Sequence, residues 1–372
     1  MFYKKFATLA LISFSLLVFA CESAEENVTE VVTQENNTAE IAIENESVEK
    51  INVLATTPMI AEYVRQVGND NIDLNILMPY SADTHSFEAS PQDAKKIADA
   101  DLVFYVGLKY ESANLVELLE NSVSSEDILI EIGPSINPIE FSEEGHDDHE
   151  GHDHGIYDPH FWFDPVRVSM AVEVIKDELI KNDSANESSY ASAADSFVSE
   201  LEALDQNVVA MFETIPVENR KIITTHEALG YLEAKYEIEV LTTIIPSLNS
   251  EDGITPKSLR NAIEVIEKNK IEVMFLEAES SSQYSEVIEQ ETGIALVSGL
   301  WVETLQENQS YVEWLENNVT IIVNNLPTEV HDDHDHDHDH DHDDHDDDDD
   351  HDDDDDDDDD DHDGHDHGKK DK

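Results

Sequence analysis

Two periods of apolar and polar positions run through the middle of this chain. Ile51-Asn52-Val53-Leu54-Ala55 reads as a strand, about Met59 to Val67 as a helix, and Gly68-Asn69-Asp70 as a turn. Ile72 to Met78 alternates as a half-buried strand does. Pro91 opens a helix carrying Ala94, Ile97 and Ala98, and Leu102–Val106 is a wholly apolar strand. A helix over 111–121 and a strand over 128–132 follow. The second half repeats the grammar with strands at 221–225, 239–245, 271–276 and 294–297. Its helices are predicted at 227–235, 256–268, 283–291 and 311–324. Strands alternating with helices predict an α/β fold with parallel sheets covered on both faces. Between the halves lie helices over about 166–181 and 187–214. The second carries Phe197, Leu201, Leu204, Val208, Met211 and Phe212 at helical spacing, and reads as a rigid spine between two α/β halves.

The flanks follow neither period. Lys4 and Lys5 precede the apolar run Phe6–Ala20, which is too short and wrongly flanked for an ordinary membrane-spanning helix. It ends on Cys21, the one cysteine of the chain, so an intrachain disulfide and thiolate zinc sites are excluded. A cysteine directly after a signal core resembles the bacterial lipobox, with Phe19 bulkier than usual there. Residues 1–20 are thus expected to be a lipoprotein signal peptide, with lipid carried on Cys21. Residues 21–50 read as a disordered tether. The expected folded parts are a lobe over 51–165, linking helices over 166–214 and a lobe over 215–328. Residues 329–372, almost purely Asp and His, are expected to be disordered because they have nothing apolar to bury.

Charge narrows the function. The chain has 20 Lys and Arg against 88 Asp and Glu, a formal net charge of −68. Phosphates would be repelled, so nucleic acid is excluded as a partner. The excess suits a protein that handles cations.

Histidine placement points to a metal. Of the 18 histidines, 11 lie in the tail and four, His146, His149, His152 and His154, in an acidic loop at 144–155. Only His85, His160 and His226 remain. His85 and His226 each follow a strand, at the carboxyl end where open α/β sheets place ligands. His226 is also read at a helix start. His160 lies in Asp158-Pro159-His160-Phe161-Trp162-Phe163-Asp164-Pro165, among aromatic side chains and between two Asp-Pro steps. Neutral imidazole suits zinc, which is usually four-coordinate in such sites. Glu303, in a loop after a strand, is the best-placed fourth ligand. Glu277 is its rival, with a structural hydrogen-bonding role favoured for it. The loop histidines and His331, His334, His336 and His338 of the tail are expected to chelate metal weakly.

These residues resemble a known family. Asp83-Thr84-His85-Ser86-Phe87-Glu88, Ala98–Gly107, Asp158–Pro165 and Thr225-His226-Glu227-Ala228-Leu229-Gly230-Tyr231-Leu232 are similar to the substrate-binding lipoproteins of bacterial zinc ABC importers, in the zinc/manganese cluster A-I group. The resemblance runs from about Ile51 to Leu326. It implies two α/β lobes joined by a long rigid helix, with metal in the cleft between them. It implies ligands at His85, His160, His226 and Glu303, and delivery of Zn2+ to a membrane permease from a lipid-anchored, extracytoplasmic monomer. Thr84 and Ala89 stand where the family usually has Pro. Manganese-selective members usually carry a carboxylate at the third ligand, so His226 favours zinc.

Two rivals come from other classes. A zinc hydrolase lacks its motif, because Gly230 stands where His-Glu-x-x-His would need its second histidine after His226-Glu227. Neither a Ser/His/Asp set nor a Gly-rich phosphate loop occurs, so the chain is expected not to be an enzyme. A metal-storage or adhesion lipoprotein, or a manganese importer component, are the alternative readings.

Overall fold

The computed structural model describes residues 50–329, apart from 81, 83, 142–156, 249–251 and 279–283. Cys21, the four loop histidines and the tail histidines lie outside the described residues. Among the described residues, no helix is long and apolar enough to cross a membrane.

The first sheet holds β1 (Ile51–Ala55), β2 (Ile72–Ile76), β3 (Leu102–Tyr105) and β4 (Leu129–Glu131), all parallel, in the order β2-β1-β3-β4. The chain leaves β1 toward one side and reaches β3 on the other. The crevice at the carboxyl ends of β1 and β3 is therefore a switch point, where open α/β sheets take ligands. Helices α1 (Pro58–Gly68), α2 (Pro91–Ala98) and α3 (Ala113–Ser122) complete this lobe. Thr57 caps α1 through its side chain, and a Ser90–Asp93 capping box starts α2. Gly107, at φ 77, ends the β3 segment where a Cβ would lie 2.1 Å from Glu131 Oε1. The positive φ favours glycine there.

The second lobe repeats the arrangement. The strand pairs are β5 (Lys221–His226) with β6 (Glu239–Ile245), and β7 (Val273–Glu277) with β8 (Ala295–Leu300), both parallel. β5 lies beside β7, so the spatial order is again second, first, third, fourth. Helices α6 (Gly230–Tyr236), α7 (Pro256–Asn269), α8 (Ser285–Thr292) and α9 (Tyr311–Asn325) accompany these strands.

Between the lobes stand α4 (Pro165–Asn182) and α5 (Glu187–Phe212). At ~1.5 Å per residue, the 26 residues of α5 make a rod of roughly 39 Å. Its buried face is Tyr190, Ala194, Phe197, Leu201, Leu204, Val208 and Phe212, a run of three- and four-residue steps. That face packs on α1, α4 and α9. Each large apolar side chain buried there contributes about 1.5–3 kcal/mol. One hydrophobic cluster runs from β1 and α1 through α4 and α5 to α9, so helices of both lobes share a core with the spine.

The elements follow the sequence pattern with three local differences. Residues 227–229 are a bend, and α6 begins only at Gly230. His226 is the last residue of β5 rather than a helix start, because pairing opposite Ile245 holds it in the sheet. β7 and β8 extend to Glu277 and Leu300, which pair after a register shift. The Ser298-Gly299 pair disguised that extension, because Gly299 sits at φ 111 within the strand.

Candidate metal centre

His85, His160, His226 and Glu303 come from four separate parts of the chain and meet in the structure. One ligand-capable atom from each lies within 4.8 Å of the others, and all four residues are buried. Each is aimed by a different device.

His85 lies in the loop after β2. The start of that loop is tied to the end of β1 by Leu77 N to Ala55 O and Met78 N to Thr56 O, each 2.9 Å. His160 follows Asp158, whose carboxylate Oδ1 lies 2.8 Å from both the His160 backbone N and its ring Nδ1. The Asp158 backbone is fixed in turn, its N donating to Ile139 O and its O accepting from Tyr231 OH. Asp164 then caps α4 by accepting from Val166 N. His226 ends β5, where Glu277 Oε1 accepts its backbone N at 3.0 Å and Glu277 Oε2 lies 2.8 Å from its Nδ1. Glu303 follows β8. Trp162 Nε1 donates to Val302 O at 2.7 Å, and the Asn318 amide holds both backbone groups of Trp301.

The two carboxylates behind the imidazoles fix their tautomer. An Nδ1–H shared with Asp158 or Glu277 leaves Nε2 as the lone-pair nitrogen, the usual preparation of a metal-binding histidine. The Nε2 atoms of His160 and His226 are wholly buried, and each approaches Glu303 Oε1, at 3.2 and 2.7 Å. His85 Nε2 lies 3.4 Å from the same oxygen. In a tetrahedral site with bonds of ~2.0–2.1 Å, ligand atoms stand roughly 3.3 Å apart. Three buried nitrogens around one oxygen at these distances fit a small four-coordinate cation.

Comparison with known proteins agrees in kind. The model of the family "Zinc-uptake complex component A periplasmic" matches residues 53–325. The chain belongs to this family. Among curated relatives, the manganese ABC transporter substrate-binding lipoprotein PsaA of Streptococcus anginosus is 25% identical over 334 residues, covering 87% of this chain and 99% of the relative. The metal ABC transporter substrate-binding lipoprotein ScbA of Streptococcus cristatus is 26% identical over 287 residues, covering 74% and 89%. Among solved structures, the periplasmic zinc-binding protein TroA of Treponema pallidum superposes with a TM-score of 0.65 at 21% identity, covering 74% of this chain and 99% of that one. A manganese-bound periplasmic metal-binding protein of Candidatus Liberibacter asiaticus gives 0.64 at 24%, covering 74% and 99%. At such identities these structures speak for the fold, two lobes bridged by a long helix.

As a member of the metal-uptake family, the chain is a metal-binding component of an ABC importer, and the metal is its cargo. The electrostatics of the cleft suit a cation that displaces protons. Burial alone would lower the His160 pKa, but the Glu303 charge and the Asp158 hydrogen bond outweigh it and raise it to about 9. Burial likewise works against the charged form of His226, yet Glu277 and then Glu303 raise it well above its ordinary value. Glu303 would be pushed up by burial, but His160 and His85 hold it well below the usual carboxylate range. The carboxylate charge is thus present before metal arrives, and protons are held on the rings of His160 and His226.

Sequence reading missed several residues of this centre. In the sequence Asp158 reads only as part of an Asp-Pro step, although its two-residue offset from His160 is a signal for a carboxylate that orients an imidazole. Tyr110 and Thr84 also touch Glu303. Tyr110 OH donates to Glu303 Oε2 at 2.8 Å, and Thr84 Oγ1 lies 3.4 Å from it. Burial and the Glu303 charge raise the Tyr110 pKa well above 10.0, so the phenol stays a donor. No local spacing announces either contact, which spans 193 and 219 residues of sequence. Glu277 does not share the four-atom cluster and lies behind His226, 2.8 Å from its Nδ1.

Proposed function

We propose that this protein captures Zn2+ in the cleft, through His85, His160, His226 and Glu303, and delivers it to an ABC permease in the membrane. The observation that carries the reading is the convergence of the buried Nε2 atoms of His160, His226 and His85 on Glu303 Oε1. Three imidazoles and one carboxylate form a nitrogen-rich, closed set that suits zinc. Manganese prefers more oxygen ligands. Lipid on Cys21 would hold the protein outside the cytoplasm, beside its permease, and it would act as a monomer. The histidines of loop 144–155 and of the tail would gather zinc weakly near the cleft without forming its tight site.

A manganese importer is the second reading, because relatives such as that of Streptococcus anginosus are named for manganese. Competition decides between them. Metal-free protein is offered zinc and manganese at equal free concentrations set by a chelator, and the bound metal is measured. Zinc retained by one tight site supports the proposal, and manganese displacing it overturns it. The same titration on a chain ending at Thr328 is expected to keep that one tight zinc and lose the weak ones. Loss of the tight site would make this a tail-based storage protein instead.

A further inference from the structure

We propose that Tyr110 sets the metal selectivity of the cleft by keeping Glu303 a one-oxygen ligand. The inference rests on the four-residue site proposed above. Glu303 divides its two oxygens between two environments. Oε1 faces all three imidazoles, at 2.7, 3.2 and 3.4 Å. Oε2 accepts the Tyr110 phenol at 2.8 Å, with Thr84 Oγ1 at 3.4 Å.

Tyr110 is itself firmly held. Its hydroxyl also lies 2.9 Å from Thr84 Oγ1 and 3.3 Å from Glu303 O. Its ring stands edge-on to Trp162, centroids 5.2 Å apart, and edge-on to His85 at 5.1 Å. Its neighbour Glu111 is buried and accepts three hydrogen bonds, from Thr56 Oγ1 at 2.7 Å, Val106 N at 2.8 Å and Gly107 N at 2.9 Å. Those bonds fasten residues 110 and 111 to the carboxyl ends of β1 and β3. The phenol is therefore a fixed donor on the first lobe, aimed at a carboxylate carried by the second.

The consequence is one of coordination number. A carboxylate giving one oxygen completes a set of four, which is where zinc is most at ease. A larger, oxygen-preferring cation gains by taking both oxygens. To do so here it must turn Oε2 away from Tyr110 and break a charge-assisted hydrogen bond in a dry site. Zinc gives up nothing, because it never needs Oε2. Tyr110 thus acts as a positioning residue that penalises a higher-coordinate metal without touching the metal.

The test is Tyr110→Phe in the full chain, with Tyr190→Phe as a control that removes a phenol bonded to Asp183 between α4 and α5. Zinc and manganese affinities are measured by chelator competition, and cobalt(II) is loaded as a spectroscopic probe. Breaking a hydrogen bond to a charged group corresponds to roughly tenfold or more in affinity, so the zinc-to-manganese ratio should fall by about that factor in Tyr110→Phe and hold in Tyr190→Phe. The intense visible band of four-coordinate cobalt should be present in the unaltered protein and weaken in Tyr110→Phe. Equal weakening of both metals with an unchanged cobalt band would make Tyr110 merely structural and overturn the inference. A five- or six-coordinate cobalt spectrum in the unaltered protein would overturn it even if the variant fails to fold. An unaltered protein that binds no zinc in the cleft would sink the proposed function as well, a result distinct from these two.

Discussion

Metal capture by this cleft should be a proton exchange, and its size can be worked from the structure. The perturbation is zinc loading at a series of pH values. In the metal-free protein His160 carries a proton up to about pH 9, held by Glu303 and Asp158. His226 is held likewise by Glu277 and Glu303. A metal needs both Nε2 lone pairs, so these protons must leave. For His160 alone, the protonated ring outnumbers the neutral one by about a hundredfold at pH 7, and zinc affinity falls by about the same factor. At pH 8 the ratio is about tenfold. Affinity should therefore rise about tenfold from pH 7 to pH 8 if His160 alone exchanges, and more steeply if His226 exchanges with it. Chelator competition across that range reads the slope. Calorimetry in buffers of different ionisation enthalpy counts the released protons directly. The metal-free protein carries the matching stability signature. Raised histidine pKa values stabilise the fold fully below the unfolded value of ~6.5, and that stabilisation is lost as pH rises through about 9. Zinc affinity independent of pH from 7 to 8, with no proton released, would refute this account of the cleft.

Three further outcomes follow from the same geometry. Asp158→Asn and Glu277→Gln, which keep the shape but weaken the hold on Nδ1 of His160 and His226, should each lower zinc affinity by roughly 10–100-fold in competition titrations, with thermal unfolding checking that the fold survives. Gly230→Ala should weaken zinc binding although residue 230 is no ligand, because a Cβ there would lie 2.6 Å from Asp158 Oδ2 and push that carboxylate off His160; unchanged affinity would mean that Asp158 moves without consequence. His160→Ala should weaken the tight site far more than His149→Ala, since an ordered set loses one of four ligands while loop histidines substitute for one another; equal, small effects would remove His160 from the site.

Much of this protein was legible in its sequence. The two periods of apolar residues placed the parallel strands, the long helix α5 and its apolar face from Phe197 to Phe212, because burial on a sheet or a helix writes its own spacing. The scarcity of histidine in the folded part singled out His85, His160 and His226, since a residue used so sparingly stands apart by position alone. What the sequence left open depended on contacts between distant segments. Glu303 and Glu277 looked alike, each a glutamate at or beyond the end of a strand. Only the assembled sheets put one among three imidazoles and the other behind His226. His226 read as a helix start because its neighbours Glu227 and Ala228 favour helix, and pairing with Ile245 overrode that preference. Tyr110 had no local mark, because its meaning lies in one hydrogen bond between residues 193 apart in the chain. Periodicity reports which side of an element is buried. Which groups share a point in space is decided by how the lobes close on one another, and that information is spread over the whole core.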